Sequence, residues 1–109
     1  MPSDDFQRYH RQEILPGFGR TAQERLRAAH ALVVGCGALG CACIDLLARA
    51  GVGTLTLVDR DVVELTNLQR QTLYSEADAR AALPKAEAAK QRVAAVNSQV
   101  RVHACVEHL

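Results

Sequence analysis

The sequence has no tryptophan, and its aromatic residues are Phe6, Tyr9, Phe18 and Tyr74. So small a set gives no base-stacking surface, and nucleic-acid binding drops out. Neither sign of charge is in excess: thirteen Lys and Arg face twelve Asp and Glu, a formal charge of +1, which removes any composition argument for an acidic partner. No apolar run approaches the membrane-spanning length of about 18 residues, so no membrane association is expected. The stretch Met1, Pro2, Ser3, Asp4, Asp5 lacks the basic and apolar regions of a signal peptide, and the cytosol is the expected compartment.

Cysteine is present four times without a recognisable framework. Cys41 and Cys43 are one residue apart and no CxxC follows, so the zinc spacings are missing. Cys36 falls in a glycine loop and Cys41 and Cys43 in a helical pattern, which does not suit a secreted disulfide scaffold. Cys41, Cys43 and Cys105 are expected to be small buried hydrophobes. Cys36 is expected to be a filler, since nothing nearby lowers its pKa. His10, His30, His103 and His108 are too scattered to suggest a metal cluster, and no metal ligand is assigned.

What remains is the composition of one globular domain: 109 residues, 49% hydrophobic and 23% charged. Thr21 three residues before Glu24 reads as a capping box for a helix over Ala22–Ala29. Ala31–Val34, closed by Gly35, reads as a strand buried on both faces. Leu39, Cys43, Leu46, Leu47 and Ala50 fall on one helical face, and Gly51 ends that helix. Thr54–Val58 is a second strand, so strand, helix and strand predict a right-handed parallel βαβ unit. Pro84 can occupy the first turn of a further helix, with Ala86, Ala89, Val93 and Val96 inward. Alternation from Val100 to Val106 predicts a third strand. The expected fold is α/β, a three-layer Rossmann-like half: a parallel sheet with flanking helices, about half of a doubly wound domain, with an uncovered edge.

The strongest local signal is Gly35-Cys36-Gly37-Ala38-Leu39-Gly40, a GxGxxG between an expected strand and an expected helix. Glycines permit a tight turn and close backbone approach to a ligand, while the helix N–H groups attract an anion. Asp59 ends the second strand, where a carboxylate can accept hydrogen bonds from ribose hydroxyls. Beyond it, Asp61, Asn67, Arg70, Gln71 and Lys85 form a polar series that suits a triphosphate better than a hydride-transfer site. ATP is therefore expected rather than NAD.

At this point the sequence resembles a known family, the ubiquitin-activating type of adenylyltransferase represented by MoeB, ThiF and HesA. The stretches that carry the resemblance are RYHRQEILPGFG (8–19), VVGCGALG (33–40), GVGTLTLVDRDVVELTNLQRQTLY (51–74) and PKAEAAK (84–90). It implies adenylation, by ATP, of the C-terminal Gly-Gly carboxylate of a small ubiquitin-like sulfur-carrier protein, giving an acyl-adenylate and pyrophosphate. By the same resemblance Gly35, Gly37 and Gly40 shape the nucleotide loop and Asp59 holds the ribose. Asn67, Arg70 and Lys85 bind phosphates with Gln71 beside them, and Asp61 lies near them. Arg11 reaches into the ATP site of the partner subunit of a homodimer, so that Arg11, Arg70 and Lys85 form the catalytic set.

The resemblance also implies features beyond Leu109: an Asp that holds Mg²⁺, the second half of the sheet, and CxxC pairs binding zinc in full-length relatives but not here. Residues 1–109 are thus expected to be the N-terminal ATP-binding portion of such a domain. Arg80-Ala81-Ala82-Leu83 departs from the family, whose members commonly carry a glycine near the proline, and Leu83 is a poor helix cap. Because the second half is missing, a non-catalytic nucleotide-binding or dimerisation module is the alternative. An NAD-dependent oxidoreductase half rests on GxGxxG and Asp59 alone.

Overall fold

Three five-residue strands organise the computed structural model, which describes residues 7–107. Phe6 and His108 lie outside the described residues. β1 (His30–Val34), β2 (Thr54–Val58) and β3 (Arg101–Cys105) are parallel in the order β1-β2-β3. Their register aligns Leu32 with Thr56 and Thr56 with His103. Around them stand α1 (His10–Glu13), α2 (Gly19–Ala28), α3 (Ala38–Ala50), a 3-10 turn (Leu65–Asn67), α4 (Glu76–Arg80) and α5 (Lys85–Val96).

Helices α3 and α5 pack together on one face of the sheet. Ile44, Leu55, Leu57, Val63 and Val93 are buried between them, with Ala31, Val33, Val102 and Ala104 partly covered. The opposite strand positions face outward: His30, Leu32 and Val34 on β1 are exposed, as are Arg101 and His103 on β3. A β1 strand buried on both faces is therefore corrected: Leu32 and Val34 are 60% and 55% exposed. Among the described residues β1 is an edge, paired with β2 alone, and α3 and α5 lie over only one side of it.

The inward face of α3 is also corrected. Cys41, Ile44 and Ala48 face the core, whereas Leu39 and Leu46 are 79% and 68% exposed and Cys43 is exposed. Apolar residues occupy both arcs of this helix at three- and four-residue spacing, so periodicity does not choose between them. Cys105 is only half-buried, so of the three cysteines expected inside, Cys41 alone is fully so.

Other elements shift at their ends. Helix α2 starts at Gly19 with Phe18 as its uncapped N-cap, so Thr21 and Glu24 lie within it and form no capping box. Reciprocal boxes occur instead at Glu64/Asn67 and Ser75/Asp78. Pro84, not Leu83, is the N-cap of α5, and Val96 at its other end is half-buried. The third strand stops at Cys105, leaving Val106 46% exposed. Gly51 ends α3 as expected, at φ 96° in the left-handed region.

Candidate functional site

The glycine loop leaves β1 at Gly35, whose N–H donates to the Val58 carbonyl at 2.8 Å and whose φ of 94° favours glycine. Gly37 is the N-cap of α3 and accepts from the Cys41 N–H at 2.8 Å. The three glycines answer to different demands. A Cβ on Gly40 would stand 2.0 Å from the Gly35 carbonyl oxygen, so helix and loop approach too closely for a side chain. Gly37 has neither a left-handed φ nor a crowded Cβ direction: its φ is −86°, and the nearest atom to an added Cβ is Gln71 Nε2 at 3.9 Å. The folded chain does not itself require glycine there, and the space left open lies at the N-terminus of a helix, where an anion is favoured.

Asp59 leaves the end of β2 and locks two turns. Its Oδ2 accepts from the Cys36 N–H at 2.8 Å, and its Oδ1 accepts from the Asp61 N–H at 2.7 Å. Each carboxylate oxygen retains acceptor capacity, so these bonds leave room for a ribose hydroxyl. A cleft of about 240 Å³ opens here, lined by Val34, Gly35, Val58, Asp59, Arg60, Asp61 and Glu107. Of the residues singled out from the sequence, the cleft gathers Gly35, Asp59 and Asp61. Arg60 and Glu107 were not singled out, because their positions beside the strand ends follow from pairing rather than from a local motif.

A second group of residues packs against the loop. Gln71 is 4% exposed, with Nε2 toward Gly37 and its Oε1 buried without a partner. Lys85, at the first turn of α5, is 8% exposed. Its backbone N–H donates to the Asp61 carbonyl at 2.9 Å, which ties α5 to the segment after Asp59. Tyr74 Oη donates to the Cys36 carbonyl at 2.5 Å, and Cys41 Sγ donates to the same oxygen at 3.6 Å. Tyr74 was missed in the sequence, where its only signal is an aromatic ring in an otherwise polar stretch.

Burial pushes the Cys36 thiol up to about 12, with Asp59 and Cys41 adding to the rise and the Lys85 ammonium opposing it. Cys36 is thus a neutral filler, as expected. Burial also pushes the Tyr74 phenol upward. Asn67 is buried and structural at its oxygen, where Oδ1 accepts from the Glu64 N–H at 2.9 Å. Arg70 is exposed and its guanidinium donates to the Thr66 carbonyl at 3.1 Å. Arg11 is exposed on α1, and its neighbour Gln12 is bonded to the Ala50 carbonyl at the C-terminal end of α3, the helix whose N-terminus carries the glycine loop. Among the described residues no group of three or more His, Cys, Asp or Glu is arranged to hold a metal. His30 and His103 are nevertheless neighbours, with ring centroids 6.4 Å apart.

The profile of the ThiF family matches residues 9–109. The chain belongs to the ThiF family. Among relatives, it is 48% identical over 95 residues to the sulfur carrier protein ThiS adenylyltransferase of Bacillus subtilis, covering 87% of this chain and 28% of that protein. It is 48% identical over 102 residues to the molybdopterin-synthase adenylyltransferase of Salmonella typhimurium, covering 94% of this chain and 40% of the relative. This ThiF-family chain thus spans less than half the length of these curated relatives. Among solved structures, the E. coli tRNA N6-threonylcarbamoyladenosine dehydratase TcdA in complex with ATP superposes with a TM-score of 0.87 at 33% identity, over 95% of this chain and 41% of TcdA. Parallel strands with flanking helices, as in these Rossmann-like relatives, are the ThiF-family architecture of this chain.

Proposed function

We propose that residues 1–109 form the N-terminal nucleotide-binding portion of an adenylyltransferase that uses ATP to activate the C-terminal Gly-Gly carboxylate of a small ubiquitin-like sulfur-carrier protein. The observation that carries this reading is Gly37: an uncrowded glycine at a helix N-terminus beside buried Gln71, next in the chain to Cys36, whose N–H is held by the carboxylate at the end of β2 and whose thiol feels the buried Lys85 ammonium. The names of the two adenylyltransferase relatives and the ATP complex of TcdA support it.

In the proposed reaction a carboxylate oxygen of the carrier attacks the α-phosphorus of ATP. A new P–O bond forms as the bond to the bridging oxygen of the β-phosphate breaks, and pyrophosphate leaves with that electron pair. Anions converge in this step, so the protein's contribution is positioning and charge neutralisation. Asp59 orients the ribose, and the backbone at Gly35, Gly37 and Gly40 lies against the phosphates. Lys85 and Arg70 neutralise them, with Asn67 and Gln71 as amide donors and Asp61 alongside. Arg70 must release the Thr66 carbonyl or bridge to it to do so. Magnesium, when bound with ATP, supplies further charge neutralisation. The described residues offer no three-ligand cluster for it, so no step is assigned to it.

Arg11 is read as acting on a second copy in a homodimer. The glycine loop sits at the N-terminus of α3, while Tyr9 and Gln12, on either side of Arg11, are hydrogen-bonded around that helix's C-terminal end. Thirteen residues of helix separate the two ends, about 20 Å at 1.5 Å per residue. That separation favours action in trans.

The test is exchange of labelled pyrophosphate into ATP, driven by a purified carrier ending in Gly-Gly. Exchange that depends on both the carrier and Lys85 is the expected result. ATP binding without exchange favours the alternative of a non-catalytic nucleotide-binding or dimerisation module.

A further inference from the structure

The residues beside Arg11 form a clasp that the nucleotide site does not use. Gln12 Nε2 donates to Gln23 Oε1 at 2.5 Å and to the Ala50 carbonyl at 2.8 Å, and Gln23 Nε2 donates to the same carbonyl at 2.9 Å. Asn97 Nδ2 donates to Tyr9 Oη and to the Ala48 carbonyl, both at 2.8 Å, and Tyr9 Oη donates to Gln99 Oε1 at 3.3 Å. Tyr9, Gln23 and Asn97 are 5%, 5% and 1% exposed, so three polar groups from separate parts of the chain are buried with their bonds satisfied. The clasp closes over Gly51, where an added Cβ would lie 2.6 Å from Gln23 Nε2 and 2.7 Å from the Tyr9 ring.

Helix α1 has four residues, no side-chain cap and no buried member. A helix so short does not hold its own orientation. Gln12 fastens α1 directly to the Ala50 carbonyl and Tyr9 ties its start, through Asn97, to the Ala48 carbonyl, while Arg11 between them is exposed.

We infer that the Tyr9–Asn97 and Gln12–Gln23 pairs are positioning residues that fix α1, so that Arg11 is presented in one orientation to the nucleotide site of a second copy. This rests on the reading of Arg11 given above. The clasp thereby couples the two glutamines, the asparagine and the tyrosine to catalysis without any of them touching a substrate.

A double-mutant cycle in the pyrophosphate-exchange assay, with the Bacillus subtilis carrier ThiS as acceptor, tests it. Gln12→Ala is expected to lower kcat about tenfold and to have no further effect once Arg11 is already Ala. Tyr9→Phe, which keeps the ring and removes only the hydroxyl, carries the same cycle if Gln12→Ala fails to fold, as judged by circular dichroism. An effect of either variant that persists in full on the Arg11→Ala background, or no effect at all on the wild-type background, overturns the positioning role. Absence of exchange by the wild type, or exchange indifferent to Arg11→Ala, overturns instead the reading beneath it.

Discussion

The Cys36 N–H and the Asp59 carboxylate meet at 2.8 Å, so the residue that ends β2 holds the glycine loop that leaves β1. The loop is thus held in shape by the protein's own bonds. Asp59→Ala removes this bond and the one to the Asp61 N–H together. Hydrogen bonds to a charged group contribute about 1.5–3 kcal/mol each, and partial exposure of Asp59 places each at the lower end, so the expected loss for the two together is about 3 kcal/mol. Urea unfolding checks it: the midpoint falls while the slope is unchanged.

Gly37→Ala separates folding from binding. Its φ of −86° and the 3.9 Å clearance to Gln71 Nε2 accommodate a methyl group, so stability changes by less than about 1 kcal/mol. ATP affinity nevertheless falls, because the added carbon fills the space against the helix N-terminus. Calorimetric titration with ATP and an unfolding curve on the same variant measure the two effects.

Ala82 has a φ of 49°, the one positive φ at a non-glycine among the described residues. The sequence resemblance already marks this stretch, where related chains commonly carry a glycine. Left-handed backbone costs a residue with a Cβ roughly 1–2 kcal/mol, offset by the roughly 0.4–1 kcal/mol of entropy that glycine adds to the unfolded chain. Ala82→Gly is expected to stabilise the protein by about 0.5–1 kcal/mol, read as a higher melting temperature.

Cys36 ties stability to alkaline pH. Its thiol is raised to about 12 from an ordinary value of 9.0, so between those values the unfolded chain loses this proton while the folded one keeps it. Stability from this group is intact below pH 9 and declines as pH rises toward 12. Replacing Cys36 with Ser, whose hydroxyl does not ionise in this range, flattens that decline. Alkylation at pH 8 should label exposed Cys43 readily and leave buried Cys36 and Cys41 untouched.

What the sequence discloses follows how local each signal is. Thr54–Val58 was legible to the residue because alternation and a following Asp bound it, and Gly51 marked the end of α3 by its own conformational preference. The inward arc of α3 was not legible: Leu39, Cys43 and Leu46 obey the same spacing as Cys41, Ile44 and Ala48, and only the sheet's position selects the latter. At the site, Gly35, Gly37 and Asp59 announce themselves by spacing. The bond from Tyr74 to the Cys36 carbonyl, across 38 residues, has no local pattern. Nor has the joining of Gln12 to Gln23 and Ala50, which depends on how α1 folds back on α3.

The proposed action of Arg11 on a second copy is open to a subunit-mixing test. Arg11→Ala and Lys85→Met copies, each inactive alone, are expected to regain about a quarter of wild-type exchange when subunits are mixed, since half the dimers are mixed and one of their two sites is intact. No recovery after verified subunit exchange means that both residues serve the same site in one chain.

Calorimetric titration of the wild type and Lys85→Met with ATP and, separately, NAD decides whether this loop and its polar flank form an ATP site. The wild type is expected to bind ATP in preference to NAD, and Lys85→Met to weaken ATP binding about 10- to 100-fold, the equivalent of one charge-assisted phosphate contact. Preferential binding of NAD, or ATP binding unchanged by Lys85→Met, contradicts this assignment.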